Sequence, residues 1–359
     1  MARILYSCCG EGQGHSSRVL TVTRALTSLG HEVKILASHK AFKVLSPRLP
    51  DVLEIPGFTF VYQNNRVELV ASFWGNLPLL RQRGRIVREI TGLIETWQPH
   101  LAITDFEPFL PRAASLAGLR CISLDHQGVI PFARPSLPLD QQIPALAARS
   151  VVGLTNHRAE ARLATSFFYP PLPAGTNAHF YPPILREKVR DITPRDEGHV
   201  VVYQTSSSFT RLPELLKQLP FRFKVFAYEN ADGGEDGNVS YFPRSDARFI
   251  EEVGTASWVL TNGGYTLMSE ALYLGKPVFS LPVAWQFEQW LNARYLQDLG
   301  YGMMCDDLRK FPMKMREFLG QLEVYRKNIS GQDFCGNEAV LAHILKFLPV
   351  GKPASAAVL

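Results

Sequence analysis

Two glycine-rich turns and the polar residues around them carry the chemistry open to this sequence. The first, LYSCCGEGQGHSSR at residues 5–18, alternates Gly10, Gly12 and Gly14 and then sets His15 and Arg18. A dinucleotide-binding turn of the form G-x-G-x-x-G wants a third glycine for close packing, here at position 15. An imidazole stands there instead, a group that titrates near neutrality and can take or give a proton. The second turn, TNGGYT, puts Asn262, Gly263, Gly264 and Thr266 at the mouth of a helix that carries Glu270. A diglycine turn opening a helix lets phosphate sit against free backbone N–H groups at the positive end of the helix dipole. Two further acids close apolar runs: Asp105 after LAIT, and Asp125 before His126 in ISLDHQG.

These groups need elements to position them. ARILYSC reads as a short buried strand, and SSRVLTVTRALTSLG as a helix with Val19, Val22, Leu26 and Leu29 at helical spacing. Ser16 is the expected cap and Gly30 the expected stop. HEVKILAS is then a second strand, completing a βαβ unit. A nicotinamide site needs an acid near the end of that second strand, where Ala37, Ser38 and His39 stand. The missing acid and the missing glycine both argue against a nicotinamide enzyme.

Further along, LLRQRGRIVREITGLIETW (79–97) places Leu79, Ile86, Ile90, Leu93 and Trp97 on one helical face, ended by Pro99. Strands LAITD and RCISLD follow. Residues 165–198 are proline-rich, and from His199 the pattern restarts with strand HVVVYQ, loop TSSSF, helix RLPELLKQL, strand FRFKVFAYE and a turn-rich loop NADGGEDGN. Past the diglycine turn come a helix over about 266–274, strand PVFSLP and a helix over about 286–299. The expected division is a first domain at 1–183, a second at 184–345 and a flexible tail at 346–359, both domains similarly wound α/β units. A chain of 359 residues suits two cores.

Composition narrows the class. Five scattered cysteines, several inside apolar runs, point to a reducing compartment and carry no metal-ligand spacing. The N-terminal apolar run is too short for a signal peptide and no later run reaches a membrane span, so a cytoplasmic protein is expected. A net charge of +5 from 38 basic and 33 acidic residues, without aromatic-basic interleaving, gives no nucleic-acid module. The run SFWGNLPLLRQRGRIVR sets Trp74 beside Arg81, Arg83, Arg85 and Arg88, a basic amphipathic stretch of the kind that lies on anionic membranes.

The string G-G-x-T-x-x-x-E-A-x-x-x-G-x-P from Gly263 to Pro277, followed by Pro282, Gln289, Asn292 and Ala293, resembles the donor-nucleotide motif of GT-B glycosyltransferases. That superfamily includes the lipid II N-acetylglucosaminyltransferase and the UDP-glucuronosyltransferases. GEGQGHSSR is similar to the opening of one of its branches, and FYPPILR to its interdomain strand. The resemblance implies an α/β GT-B fold, two Rossmann-like doubly wound domains facing across a cleft. It implies inverting, metal-independent and cofactor-free transfer from a nucleotide sugar, a UDP-sugar, to an acceptor hydroxyl.

By the same resemblance His15 is the general base and Asp105 its partner, with Asp125 as rival. Glu270 takes the ribose hydroxyls, Asn262, Gly263, Gly264 and Thr266 the diphosphate, and Glu288 with Gln289 the sugar hydroxyls. Thr205 and Ser206 of the TSSSF loop are expected on the donor side. Gly12, Gly14, Arg18, Asp125 and His126 are expected in the cleft or at the acceptor. The acceptor is then a saccharide, or lipid-linked if the basic helix touches the inner face of the membrane. Asn262 stands where several relatives have His, and Glu288 where many have Asp. A non-hydrolysing nucleotide-sugar 2-epimerase would share the fold but need more carboxylates around the sugar. A non-catalytic binding subunit would keep Glu270 without needing His15.

Overall fold

The structure, a computed structural model, describes residues 1–10, 12–59, 61–63, 66–156, 158–204, 212–226, 233–243 and 246–349. Seven strands form a first sheet: β1 (Arg3–Cys8), β2 (Glu32–Ala37), β3 (Val52–Glu54), β4 (Leu101–Asp105), β5 (Cys121–Asp125), β6 (Ala161–Thr165) and β7 (Ala178–Tyr181). Their order is β3-β2-β1-β4-β5-β6-β7, all parallel. Strands buried on both faces must be apolar throughout, and β4 (LAITD) and β5 (CISLD) are buried at every position.

The second sheet repeats the plan with β8 (His199–Tyr203), β9 (Arg222–Phe226), β10 (Gly234–Asp236), β11 (Val239–Phe242), β12 (Trp258–Thr261), β13 (Val278–Ser280) and β14 (Gly302–Met304). Its order is β10-β11-β9-β8-β12-β13-β14, parallel except where β10 meets β11. The loop expected at NADGGEDGN therefore supplies an antiparallel edge strand. In each sheet the strand order reverses beside the first strand, between β1 and β4 and between β8 and β12. Open α/β sheets bind ligands outside the carboxyl ends of strands at that point.

Helix α1 (Gln13–Ser28) begins three residues before the expected cap, because Gly12 at φ 79° turns the chain directly from strand to helix. Ser16 lies inside the helix with its hydroxyl unpartnered, and His15 and Arg18 fall at i and i+3 on one face. Helix α2 (Leu69–Trp97) starts ten residues before Leu79, running through Pro78. Its Ile86 and Ile90 cover Leu5, Leu36 and Ala102 of the sheet, together with α3 (Phe109–Leu116). Helix α4 (Leu139–Asn156) follows β5, α5 (Tyr265–Tyr273) opens after the diglycine turn, and α6 (Phe287–Asp298) follows β13. The last helix, α7 (Asn337–Leu345), does not stay with the second domain as the expected boundary at 345 requires. Its Val340 and Ile344 are buried with Ile4, Val19 and Leu26 in the first domain's core.

The corner between β4 and α3 is built by Glu107. Its two carboxylate oxygens accept the N–H groups of Phe109 and Leu110, both at 2.8 Å, at the open start of α3. Glu107 is 2% exposed, and burial pushes its carboxyl up to about 7 against the pull of those N–H bonds. A raised folded-state value means that the native protein holds this proton more tightly than the unfolded chain. The stability it contributes is complete below the unfolded value of 4.5 and is lost as pH rises towards 7. The difference amounts to about 3 kcal/mol. Glu107→Gln should therefore lower stability at pH 5.5 but narrow the gap to wild type, or reverse it, at pH 8. Urea unfolding at the two pH values checks this, and an equal gap at both would contradict it.

Candidate active site

β1 and β4 lie side by side with Cys8 opposite Asp105, so the loop after β1 and the end of β4 share one crevice. From the first turn of α1, His15 sets its Nδ1 2.6 Å from Asp105 Oδ1. One turn on, Arg18 donates from Nε to Asp105 Oδ2 and from Nη2 to Oδ1, each at 2.7 Å. Asp105 is fully buried. Burial alone would raise its pKa, but the Arg18 guanidinium and then His15 outweigh it and hold the carboxyl below its ordinary range. A carboxylate only accepts, so Nδ1 of His15 carries the hydrogen of that bond, and in the neutral ring Nε2 keeps its lone pair. Asp125, the rival partner, accepts the Gly128 N–H at 2.6 Å through Oδ1.

The Nε2 side of His15 faces the second domain. Gln127 Nε2 stands 3.4 Å from His15 Nε2 and donates to Glu288 Oε2 at 2.9 Å, so one amide spans the gap between imidazole and acid. Phe106 lies nearly parallel to the His15 ring, with centroids 6.0 Å apart, and holds a left-handed φ of 55°. Such a backbone costs of order 1–3 kcal/mol for a non-glycine residue and persists where its surroundings enforce it.

Beside this pair the domains touch directly. His126 stacks on Tyr265 at 3.7 Å, reaches Asn292 Oδ1 at 2.7 Å through Nε2 and the Thr165 carbonyl at 2.8 Å through Nδ1. Burial pushes the His126 pKa down, against the opposing pull of Glu288. Gly14 leaves no room for a side chain, since a Cβ there would lie 2.3 Å from Thr266 Oγ1. The glycine run is thus a close approach of one domain's backbone to the other's helix start.

On the second domain, Gly263 takes φ 100° and Gly264 caps α5 without a side-chain hydrogen bond. Asn262 is buried and donates to the Leu281 carbonyl at 3.2 Å, while Asn292 donates to the Gly263 carbonyl at 3.1 Å. Gln289 Oε1 accepts the Val283 N–H at 3.0 Å, pinning the loop before α6. Glu270, expected to meet only ribose, is gripped by Arg186 through Nε at 2.7 Å and Nη2 at 2.6 Å. Thr205 and Ser206 lie outside the described residues.

The structure therefore gathers His15, Arg18, Asp105, His126 and Glu288 with Gly14 against Thr266. It places Gln289, Asn262 and Glu270 in the second domain, around the Gly263–Gly264 turn and the helix it opens. Phe106, Gln127, Tyr265 and Arg186 are absent from the sequence-based set. Phe106 and Gln127 neighbour Asp105 and His126 in the chain, and Arg186 closes the interdomain string FYPPILR. Those adjacencies were the only signals available.

Two doubly wound domains with a histidine loop on one and a diglycine helix start on the other define a GT-B glycosyltransferase. Residues 2–323 match the model of the family described as Glycosyl transferase family 1, and the chain belongs to that family. It is 23% identical over 328 residues to an uncharacterized glycosyltransferase of Methanosarcina acetivorans, covering 84% of this chain and 85% of that protein. The fold is similar to that of the kitacinnamycin glycotransferase, with a TM-score of 0.69 and 17% identity over 97% of this chain and 99% of that one. It is also similar to the Streptomyces sp. SF2575 glycosyltransferase SsfS6 complexed with thymidine diphosphate, with a TM-score of 0.59 and 19% identity over 96% and 100%.

Removing the guanidinium should strand a buried charge. Arg18→Met is expected to cost about 3 to 5 kcal/mol of stability, and Arg18→Met with Asp105→Asn to recover part of it. Chemical denaturation of the three proteins measures both effects, and a single-variant loss under about 1 kcal/mol would refute the assigned ion pair.

Proposed function

We propose that this glycosyltransferase inverts the anomeric centre, moving a sugar from a UDP-sugar to an acceptor hydroxyl with His15 as general base and without a metal. The observation that carries the reading is the His15 ring: its Nδ1 is committed to Asp105, and its Nε2 is directed over 3.4 Å at the amide that binds Glu288 of the other domain. An acceptor hydroxyl taking the place of that amide hands its proton to Nε2 while its oxygen attacks the anomeric carbon. The bond to the diphosphate breaks on the opposite face. Asp105, kept ionised by Arg18, offsets the charge that forms on the imidazolium. The leaving diphosphate is received by the uncapped start of α5 and the Gly263–Gly264 turn, where N–H donors and the helix dipole supply the positive potential. Glu270 accepts from the ribose, and Glu288 and Gln289 read the transferred sugar.

His15→Ala should lower kcat by ~10²- to 10⁴-fold. UDP affinity, measured by calorimetry with chelator present, should stay near wild type because the donor groups lie on the other domain. A variant retaining more than about a tenth of wild-type kcat, with chemistry rate-limiting, moves the base elsewhere.

The reading extends to a cytoplasmic enzyme working at the membrane surface on a lipid-linked acceptor. Cys8, Cys121, Cys305 and Cys335 are unbridged thiols, in keeping with a reducing compartment. No helix of the described residues is long and apolar enough to cross a membrane. The apolar side of α2 docks on its own sheet, but Trp74 on α2, Leu116 on α3 and Leu139, Ile143, Leu146 and Leu154 on α4 are exposed. Right-handed crossovers put these three helices on one side of the sheet, and α3 packs against both of the others. Exposed Arg81, Arg83, Arg85, Arg88 and Arg112 share that side. Apolar groups among arginines suit an anionic bilayer surface. The protein should sediment with phosphatidylglycerol vesicles and not with phosphatidylcholine ones, and Leu139→Ser with Ile143→Ser and Leu146→Ser should abolish this. Equal sedimentation of that variant would remove α4 from the surface.

A further inference from the structure

His126 holds a hydrogen-bond conflict that only a proton resolves. Its Nδ1 faces the Thr165 carbonyl at 2.8 Å, and its Nε2 faces Asn292 Oδ1 at 2.7 Å. Both partners present oxygen lone pairs. A neutral imidazole has one N–H and one lone pair, whereas an imidazolium has two N–H groups, so only the charged ring makes both contacts. His126 is 1% exposed and Asn292 0%, which leaves no water to stand in for a missing partner.

Neither acceptor can be turned round without loss. Thr165 ends β6, and its carbonyl is fixed in the backbone. The Asn292 amide could present Nδ2 instead, but that group already donates to the Gly263 carbonyl at 3.1 Å. Rotating the amide would suit a neutral His126 and leave Asn292 Oδ1 against the Gly263 carbonyl, oxygen to oxygen. The diglycine turn is also packed on α6, where a Cβ on Gly263 would lie 2.8 Å from the Gln289 carbonyl oxygen. Around the ring, burial lowers the His126 pKa; Glu288 of α6 and the two acceptors oppose it, and Arg18 of α1 adds to it. Tyr265 of α5, kept neutral by burial, lies parallel at 3.7 Å and offers its ring face to a cation, while Phe168 stands perpendicular.

We propose that His126 is a positioning residue for the donor turn: as an imidazolium it fixes the Asn292 amide, which holds the Gly263 carbonyl, so that nucleoside diphosphate binding is coupled to uptake of a proton by the other domain. The inference rests on the reading of the Gly263–Gly264 turn as the diphosphate site. Its sign follows from the hydrogen bonds. A neutral His126 turns the amide and frees the Gly263 carbonyl, so a ligand that needs the turn in place binds the protonated protein more tightly. Affinity therefore falls as pH rises through the His126 value. By linkage the proton and the diphosphate strengthen each other's binding by the same factor.

Calorimetry on the full-length protein with UDP, thymidine diphosphate, ADP and GDP at pH 5.5 and pH 8 tests this. Two variants serve as comparison: His126→Phe keeps a flat ring on Tyr265 without an N–H, and Asn292→Leu keeps the histidine without the amide. The nucleotide's own ionisation is common to all three proteins and cancels. From pH 5.5 to pH 8 the wild-type affinity should fall by at least about tenfold more than that of His126→Phe, the factor given by one unit of pKa difference. Asn292→Leu should behave as His126→Phe does. The same pH dependence in wild type and His126→Phe would overturn the role of His126. A dependence kept in Asn292→Leu but lost in His126→Phe would overturn the relay, since His126 would then act on the diphosphate by charge alone. No binding of any nucleoside diphosphate by wild type would overturn the donor reading itself. Nitrogen-15 NMR of the wild-type histidines judges the proton without nucleotide or variant. Both His126 ring nitrogens should carry hydrogen at pH 5.5 and one of them at pH 8, and a ring neutral at both would overturn the imidazolium.

Discussion

The ionised carboxylate of Asp105, shut away from water and gripped on both oxygens by Arg18, is the constraint around which the first domain is arranged. Taking such an anion out of water costs several kcal/mol unless its lone pairs are met, so β4 can end in an acid only where a guanidinium and an imidazole converge on it. That convergence dictates the rest. β1 must lie beside β4, and the turn after β1 must enter α1 at once. Gly12 allows this by taking a left-handed φ of 79°, which puts His15 in the first helical turn and Arg18 on the same face. A later start to the helix, as a Ser16 cap would give, would rotate both side chains off the carboxylate.

The consequences cross the cleft. With Nδ1 of His15 engaged by Asp105, the Nε2 edge of the ring is turned toward the second domain, where Gln127 links it to Glu288. The contacts between the domains are of two kinds. Aromatic rings stack, His126 on Tyr265 and Phe168 on Tyr295 at 4.1 Å, and polar groups pair, Gln127 with Glu288 and His126 with Asn292. Stacking tolerates sliding, whereas the hydrogen bonds fix Glu288 and His126 in single orientations.

Much of this was legible in the sequence where the signal was local. Strand LAITD and the diglycine turn with its helix are short-range patterns, fixed by burial and by backbone freedom, and they put Asp105 at a strand end and Gly263 before α5, while His15 falls inside α1 and not in the turn ahead of it. Pairings between distant segments were not. Arg18 reads from the sequence as a cleft or acceptor residue and not as the partner of Asp105, because that carboxylate lies 87 residues away. Glu270 read as open to ligand because nothing near it in the chain announces Arg186. Asp125 stood as an equal rival to Asp105 until the turn to Gly128 claimed it, since both acids end buried strands. The start of α2 lies ten residues before Leu79, with Pro78 inside the helix. The return of α7 to the first domain left no mark in its own amphipathic pattern, which fits either core.

The turn after Asp105 joins stability to chemistry. Phe106 holds an unfavourable backbone conformation, and directly after it Glu107 spends a buried carboxylate on two N–H groups that water or a serine cap would satisfy at less cost. Neither choice is explained by helix α3 alone. Together they make the chain reverse within two residues of the strand end, which keeps Asp105 pointed at α1 and lays the Phe106 ring alongside His15. An apolar ring on that side shields the imidazole–carboxylate pair from water, and in a less polar surrounding the attraction between an imidazolium and its carboxylate is stronger. The strain at Phe106 and the burial of Glu107 are therefore costs of orienting one acid, and they fall at the corner that fixes the His15–Asp105 pair.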